Sequence, residues 1–369
     1  MTTTLATDPD RIVDIIRRLP MLEELHRGPL CREELERHLD VSSTTCYRYT
    51  NWLADRGLVE ESSEGITLTR VGEVITEEVV RFETAVTTAL QLAESDRDLL
   101  LDVVRHAPGL EALATDPHDR RELERKLDVS RTTSYRFTRS FEEVGVMEKS
   151  HGRYALTAAG EEIASAVATF ETRVRTALRL EPVLEAVSGT TPAFDLEAFA
   201  DATVTTTGYG DAHSPVNRCI RLLQATDSLR AVDMNSIAPL YLGDLVQLVV
   251  EGMVTENIQT PEAIANILAE YPDKCIEACE RGNVTVYLRD DLPYSLVVLD
   301  DRVGIGVRDR DARTLQMFVD TDSPGAREWA EAVFESYKRD AVEMTGFSPW
   351  AFRRAMERGS FDVAEATDR

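Results

Sequence analysis

A chain of 369 residues with 43% hydrophobic content is long enough for two or three domains that each bury a core without staples. No apolar run approaches the roughly 20 residues that span a bilayer, and Met1-Thr2-Thr3-Thr4 has neither the basic start nor the apolar stretch of a signal peptide, so a cytoplasmic protein with no membrane partner is expected. The net charge of −25 argues against a polyanionic partner by plain repulsion, yet only four of the 41 basic residues are lysine; hydrated carboxylates with little lysine keep a protein soluble in molar salt, where the screening length falls to about 3 Å, so the acidity reads as adaptation to a halophilic cytoplasm.

The chain repeats itself with a period of 88 residues, Asp10 to Leu92 recurring as Asp98 to Leu180. Glu34-Leu35-Glu36-Arg37 returns as Glu122-Leu123-Glu124-Arg125, and Leu39-Asp40-Val41-Ser42 as Leu127-Asp128-Val129-Ser130. A period this long, with a full apolar pattern in each unit, indicates two copies of one small domain rather than a solenoid of short repeats.

In the first copy Ile12, Val13, Ile15, Ile16 and Leu19 have helical spacing and lead to Pro20, Leu22 and Leu25. A second helix follows Pro29, with Leu35 and Leu39 inward. Asp40-Val41-Ser42 then forms a short turn whose serine caps a third helix, Ser43 to Arg56, and Gly57 ends it. The runs Leu58-Val59 and Ile66-Thr67-Leu68 around a polar turn predict a hairpin. A long helix closes each copy, Arg70 to Ala93 and Ala158 to about Leu184, with Phe82, Val86, Leu90 and Phe170, Val174, Leu178 at near-heptad spacing. These stripes serve either as intramolecular core or as a dimer seam, and a homodimer is expected from their position after the hairpin.

This order of elements is that of a winged helix-turn-helix. The stretches REELERHLDVSSTTCYRYTNWLADRGLVE and RRELERKLDVSRTTSYRFTRSFEEVGVMEK resemble the second helix, turn and recognition helix of archaeal winged-helix transcription regulators. Double-stranded DNA is the partner this implies. Function is carried by the exposed positions: Ser130, Arg131, Thr132, Thr133, Tyr135, Arg136 and Arg139 on the second recognition helix, with Lys149, His151 and Arg153 on its wing. Hydroxyls and amides at a helix start suit phosphate oxygens, and arginine can fork onto a guanine edge. The first copy offers Ser43, Thr44, Thr45, Tyr47, Arg48 and Asn51, with one arginine. Residues 119 to 158 hold nine basic and seven acidic residues, whereas 31 to 70 hold five and eight. The second copy is therefore the expected principal reader, and the first a weaker reader or a packing module; the competing reading is that these arginines are paired with nearby glutamates.

Between Glu185 and Asn217 the pattern is turn-rich. Beyond it, strands are predicted at 229–234, 253–258, 284–288, 295–299, 303–307 and 315–319, with helices at 238–251, 261–280 and 323–344: an α/β mixed sheet. The segments LRAVDMNSIAPLY, YLRDDLPYSLVVLDDRVGIGVRD and FVDTDSPGAREWAEAVFESYKRDA resemble the sensor domain of archaeal regulators first described for methanogenesis control, itself related to a half-unit of the phospholipase-D fold. The usual member has one winged helix, so the duplication departs from the pattern.

The expected class is thus α+β multidomain, with winged helix-turn-helix copies at 10–93 and 98–184, an α/β sensor domain at 195–345, and a C-terminal helix and tail at 346–369. Ligands of open α/β sheets bind beyond the carboxyl ends of the strands, which singles out Asp233, Asn235, Ser236 and Tyr241, and Arg289 and Tyr294, for a small-molecule effector; Asn235-Ser236 read equally as a helix cap. A phospholipase-type site needs a histidine with a lysine two residues on, and none of the six histidines has one. The five scattered cysteines imply no disulfide framework, and Cys275 and Cys279, four apart on a helix, lack a third soft ligand nearby. No catalytic residue, metal or cofactor is expected. A transcription regulator is the leading expectation; an interaction protein whose winged helices dock a basal transcription factor is the alternative.

Overall fold

The computed structural model describes residues 9–208, 211–233, 242–308 and 315–344, so the C-terminal helix and tail expected at 346–369 lie outside the described residues. The chain divides into two compact units, Met1–Glu181 and Pro182–Arg369.

The first unit holds the two repeats. In the first copy α1 (Pro9–Arg17) and α2 (Leu19–His26) are separate helices, because Pro20 sits in the first turn of α2, where its missing N–H costs nothing. Then come α3 (Arg32–Leu39), α4 (Ser43–Ala54), the strands β1 (Val59–Ser62) and β2 (Gly65–Leu68), and the long α5 (Arg70–Ala89). The second copy repeats the series as α6 (Arg97–Arg105), α7 (Ala107–Thr115), α8 (Arg120–Leu127), α9 (Arg131–Glu143), β3 (Met147–Ser150), β4 (Arg153–Leu156) and α10 (Ala158–Arg179). Each hairpin gains a third edge from a single bridge, Leu30 to Ile66 and His118 to Tyr154. The turn from α3 to α4 and the turn from α8 to α9 close in the same way: Asp40 and Asp128 adopt φ 51° at the ends of α3 and α8, and Ser42 and Ser130 accept hydrogen bonds from Thr45 N and Thr133 N.

The stripes on α5 and α10 turn toward each other. Phe82 and Phe170, equivalent residues of the two copies, stack with ring centroids 4.6 Å apart and planes 7° from parallel. Val86 and Val174 are buried as well. Beside them Glu78, buried on α5, meets Arg173 of α10 at 3.2 Å and Arg81 of its own helix at 2.5 Å. The equivalent helices α1 and α6 also pack together. A surface that meets its own counterpart is the mark of a two-fold relation, so the duplicated chain contains its own dimer of winged helices. The near-heptad stripe is core between copies.

The second unit begins in the short α11 (Glu181–Ala186) and is built on an eight-stranded mixed sheet. Its strands are β5 (Thr203–Thr206), β6 (Ser228–Val232), β7 (Val254–Gln259), β8 (Val284–Leu288), β9 (Ser295–Val298), β10 (Val303–Arg308), β11 (Leu315–Thr321) and β12 (Val342–Glu343), in the order β12-β8-β7-β6-β9-β10-β11-β5. β6, β7 and β8 run parallel, whereas β9 to β11 form an antiparallel meander that joins β6 through β9. The α+β class and the mixed sheet agree with the sequence reading. Where a single helix was predicted at 261–280, Pro272 divides it into α14 (Pro261–Glu270) and α15 (Pro272–Arg281). α12 (Ser214–Leu223), α13 (Leu242–Glu251) and α16 (Pro324–Arg339) complete the unit. Trp329 of α16 packs edge-on against Phe194 and Phe199 and donates to the Pro192 carbonyl.

One ion cluster ties helix to sheet. Asp320 of β11, fully buried, accepts two hydrogen bonds from Arg218 of α12, at 2.8 and 2.7 Å, and a third from Arg302 at 3.0 Å. Such a pair costs desolvation, but removing one partner strands the other. Asp320→Ala should therefore lower the unfolding free energy of this unit toward the lower end of about 3–5 kcal/mol, because both guanidinium groups keep some solvent contact, as read by urea denaturation. In the first unit a Cβ on Gly72 or Gly160 would lie 2.0 Å from the Leu58 carbonyl oxygen or 1.9 Å from that of Val146. Backbone cannot yield as a side chain can. Gly72→Ala and Gly160→Ala should each cost about 1–3 kcal/mol or more, and a melt in which either variant matches the parent would refute the close approach.

Candidate nucleic-acid interface

α9 projects the residues singled out on the second copy. Its buried face, Ser134, Phe137, Thr138 and Phe141, is held by His106, whose ring stacks on Phe137 at 5.1 Å. Spacing then leaves Arg131, Thr132, Tyr135, Arg136 and Arg139 exposed on the opposite side. Arg131 and Arg136 have no ion pair or hydrogen bond among the described residues. The competing salt-bridge reading does hold for two others: Arg139 pairs with Glu143 at 2.7 Å, and Arg153 pairs with Glu122 at 3.0 Å while donating to the Pro117 carbonyl. The hydroxyls of Ser130 and Thr133 lie 2.9 Å apart in the helix cap. They are occupied with holding the helix start.

Tyr135 carries a contact that the sequence reading did not name. Arg120, at the start of α8, lies over its ring at 5.8 Å, and the first copy repeats this with Arg32 over Tyr47 at 5.1 Å. Each exposed ring is thereby steered by a cation from the preceding helix. The signal was present as Arg-x14-Tyr in both copies, but a pair of that spacing is meaningful only once two helices cross. Asp119 caps α8 by accepting from Glu122 N, and this hydrogen bond holds its carboxyl below the usual range.

The second wing is a two-residue turn, with His151 at φ 52° and Gly152 at φ 83°, the two positive angles that suit the twist of a tight hairpin. His151 Nδ1 sits 2.9 Å from Ser150 Oγ, and Lys149 lies over the Tyr154 ring at 5.2 Å. Both residues are exposed, so α9 and the wing offer Arg131, Arg136, Lys149 and His151 to solvent.

The first copy is poorer in cations. Ser43 donates to Glu36 at 2.6 Å, Arg32 pairs with Glu61 of the first wing at 2.9 Å, and Arg48 lies over Tyr49 at 5.7 Å. Thr44 and Tyr47 are exposed, whereas Thr45 and Asn51 are half-buried.

Of the residues singled out for an effector, Asn235, Ser236 and Tyr241 lie outside the described residues. Asp233, buried at φ 52° just past β6, meets Arg308 at 2.9 Å. Arg289 lies over the Tyr337 ring at 4.4 Å, and Tyr294, buried, faces the same ring edge-on and lies 3.2 Å from Thr190 Oγ1. Burial pushes the Tyr294 phenol up. Tyr337 thus brings Arg289 and Tyr294 together, and the Asp233 carbonyl accepts a hydrogen bond at 3.0 Å from Ser295, the residue that follows Tyr294. Among the described residues no three His, Cys, Asp or Glu side chains are grouped as metal ligands.

Comparison with known proteins places both halves. Residues 7–91 and 94–179 each match the HVO_A0261 N-terminal domain, and residues 212–340 match the middle domain of the methanogenesis regulatory protein FilR1. No curated protein matches the chain. Among solved structures it is similar to TrmBL2, described as an archaeal chromatin protein with a novel mode of DNA binding, at 17% identity over 69% of this chain and 98% of that one, with a TM-score of 0.32. It is also similar to Nuc from Salmonella typhimurium, a phospholipase D family member, at 13% identity over 38% of this chain and 96% of that one, with a TM-score of 0.29. Two HVO_A0261-type N-terminal domains followed by one FilR1 middle domain make the chain a tandem winged-helix member of the archaeal transcription regulators.

Proposed function

We propose that the protein is a sequence-specific DNA-binding regulator of a halophilic archaeon, in which α9 and the second wing read the duplex and the C-terminal unit alters affinity on binding a small effector. The observation that carries this reading is the pair Arg131 and Arg136: exposed, on one face of a capped helix, and without an acidic partner in a protein of net charge −25. A folded acidic protein offers many carboxylates that could neutralise a stray arginine. Two that remain unpaired beside Lys149 and His151 suit phosphate oxygens and guanine edges.

The pairing of α5 with α10 supports a second element of the reading. A duplex has two-fold symmetry, and regulators meet it with two reading heads. Here one chain supplies both heads, so a homodimer is not needed to present them. The first head carries fewer cations, and its Ser43 and Arg32 face glutamates; these features favour a weaker DNA contact at that copy, and the alternative reading is that it docks a basal transcription factor. Coupling to an effector in the C-terminal unit would be worth about 1–3 kcal/mol, a 5- to 150-fold change in operator affinity.

Charge reversal tests the assignment. Arg131→Glu with Arg136→Glu should abolish DNA retention while leaving the melting curve within about 0.5 kcal/mol of the parent, since neither side chain supports the fold; Arg48→Glu should weaken retention less. Equal losses at the two copies, measured by electrophoretic mobility, would count against α9 as principal reader. Salt offers an independent check. A protein neutralising several phosphates ordinarily loses affinity steeply as salt rises, but here cations are taken up between facing carboxylates and phosphates, so the slope of affinity against salt should be flat or reversed; a steep decline would refute this.

A further inference from the structure

Strand β7 lies between β6 and β8, in the parallel half of the sheet, where strands covered on both faces are ordinarily continuous runs of Val, Ile and Leu. One face of β7 departs from that rule. Val254, Glu256 and Ile258 alternate with Thr255, Asn257 and Gln259, and the second set borders a cavity of about 130 Å³ lined by α13, α14, α15 and the sheet. The rest of its wall is hydrocarbon and sulfur, including Leu245, Ile264 and Leu268, and no charged side chain borders it among the described residues. Thr255 and Gln259 are each 2% exposed. Among the described residues, neither Thr255 Oγ1 nor Gln259 Oε1 has a hydrogen-bond partner.

Two unpartnered polar atoms in an apolar interior are costly, and hydrophobic residues of the same shape would remove the cost. We propose that this cavity is the effector site: it binds an uncharged, largely hydrocarbon molecule whose hydroxyl group is taken by the polar row on β7. Size, charge and donor pattern each restrict the ligand. A cavity of about 150 Å³ accommodates benzene, so one ring or an equivalent branched chain fits. An ion would lose its hydration with no counter-charge to replace it. Gln259 Oε1 is an acceptor and requires a donor, while Thr255 can serve as either. Residues two apart on a strand are separated by about 7 Å, so the row offers positions for a hydroxyl along its length. The Cys275 thiol in the wall, pushed up to about 11 by burial, stays neutral and adds no charge.

That the molecule acts as effector rests on the regulator reading above; that it binds does not. The test uses the full chain without DNA and two probes of one shape, p-cresol and p-xylene, which differ by a hydroxyl in place of a methyl. Calorimetry should show p-cresol binding about 5- to 10-fold tighter. Thr255→Val and Gln259→Leu, singly and together, should abolish that preference while raising the unliganded melting temperature by about 2–4 °C. Equal affinity for the two probes, binding of neither, or a preference that survives both substitutions would overturn the site. So would a fall in melting temperature, because it would mean that the polar row supports the fold. If p-cresol binds as described but leaves DNA retention unchanged, only the coupling in the regulator reading fails.

Discussion

The first unit depends on the meeting of α5 with α10. Each winged helix has a small core of its own, but its closing helix carries an apolar stripe that a single copy cannot cover, and the stripe of the other copy covers it. Phe82 on Phe170 provides the dispersion and shape at the centre. Glu78 with Arg81 and Arg173 provides direction, since a buried carboxylate with two guanidinium partners is satisfied in one register only. The asymmetry is informative. Position 166, the counterpart of Glu78, is alanine, and so is position 85, the counterpart of Arg173. The aromatic contact is thus shared by both copies, whereas the ion pair exists once, which is what duplication followed by divergence of a self-complementary surface produces.

Divergence has gone further at the reading heads than in the frame. The caps at Ser42 and Ser130, the left-handed aspartates 40 and 128 and the Arg–Tyr pairs are retained in both copies. The wings are not, and on the exposed helix faces, where Tyr47 and Arg48 match Tyr135 and Arg136, Ser43 stands where the second copy has Arg131. A frame held by backbone geometry tolerates little change, whereas solvent-facing side chains vary at almost no cost in stability. Divergence confined to those positions changes what each head can touch while leaving how it folds intact.

Much of this was legible in the sequence, because an 88-residue repeat doubles every signal and caps and turns act locally. The strands β6 to β11 were read within a few residues, since runs of Val, Ile and Leu bounded by Gly, Pro and Asp have few alternatives. Helices were merged where proline falls in a first turn, at Pro20 and Pro272: proline there starts a new helix instead of lying inside a longer one. β5, with Thr203, Val204, Thr205 and Thr206, was read as turn, because its pairing with β11 depends on residues more than a hundred positions away. Periodicity marked Phe82 and Phe170 as apolar-facing, but could not say that each was the other's partner. At the candidate interface, composition revealed the positive stretch, but only the fold separates Arg131 and Arg136, which are free, from Arg139 and Arg153, which are paired. The row Thr255, Asn257, Gln259 was visible as alternation; its burial was not.

In the proposed reading, an anionic body can still meet an anionic duplex because of the range over which charge acts. At molar salt the screening length is about 3 Å, so carboxylates elsewhere on the body exert little force on a phosphate held against α9. Groups in contact then decide the outcome: Arg131, Arg136, Lys149 and His151 against the nearest acids, of which Glu143 is already paired with Arg139 and Glu122 with Arg153. The two ion pairs that seem to waste arginines near the reading surface therefore have a consequence for binding. They neutralise the carboxylates that would otherwise face the phosphates, and they leave the net-positive patch to the two arginines without partners.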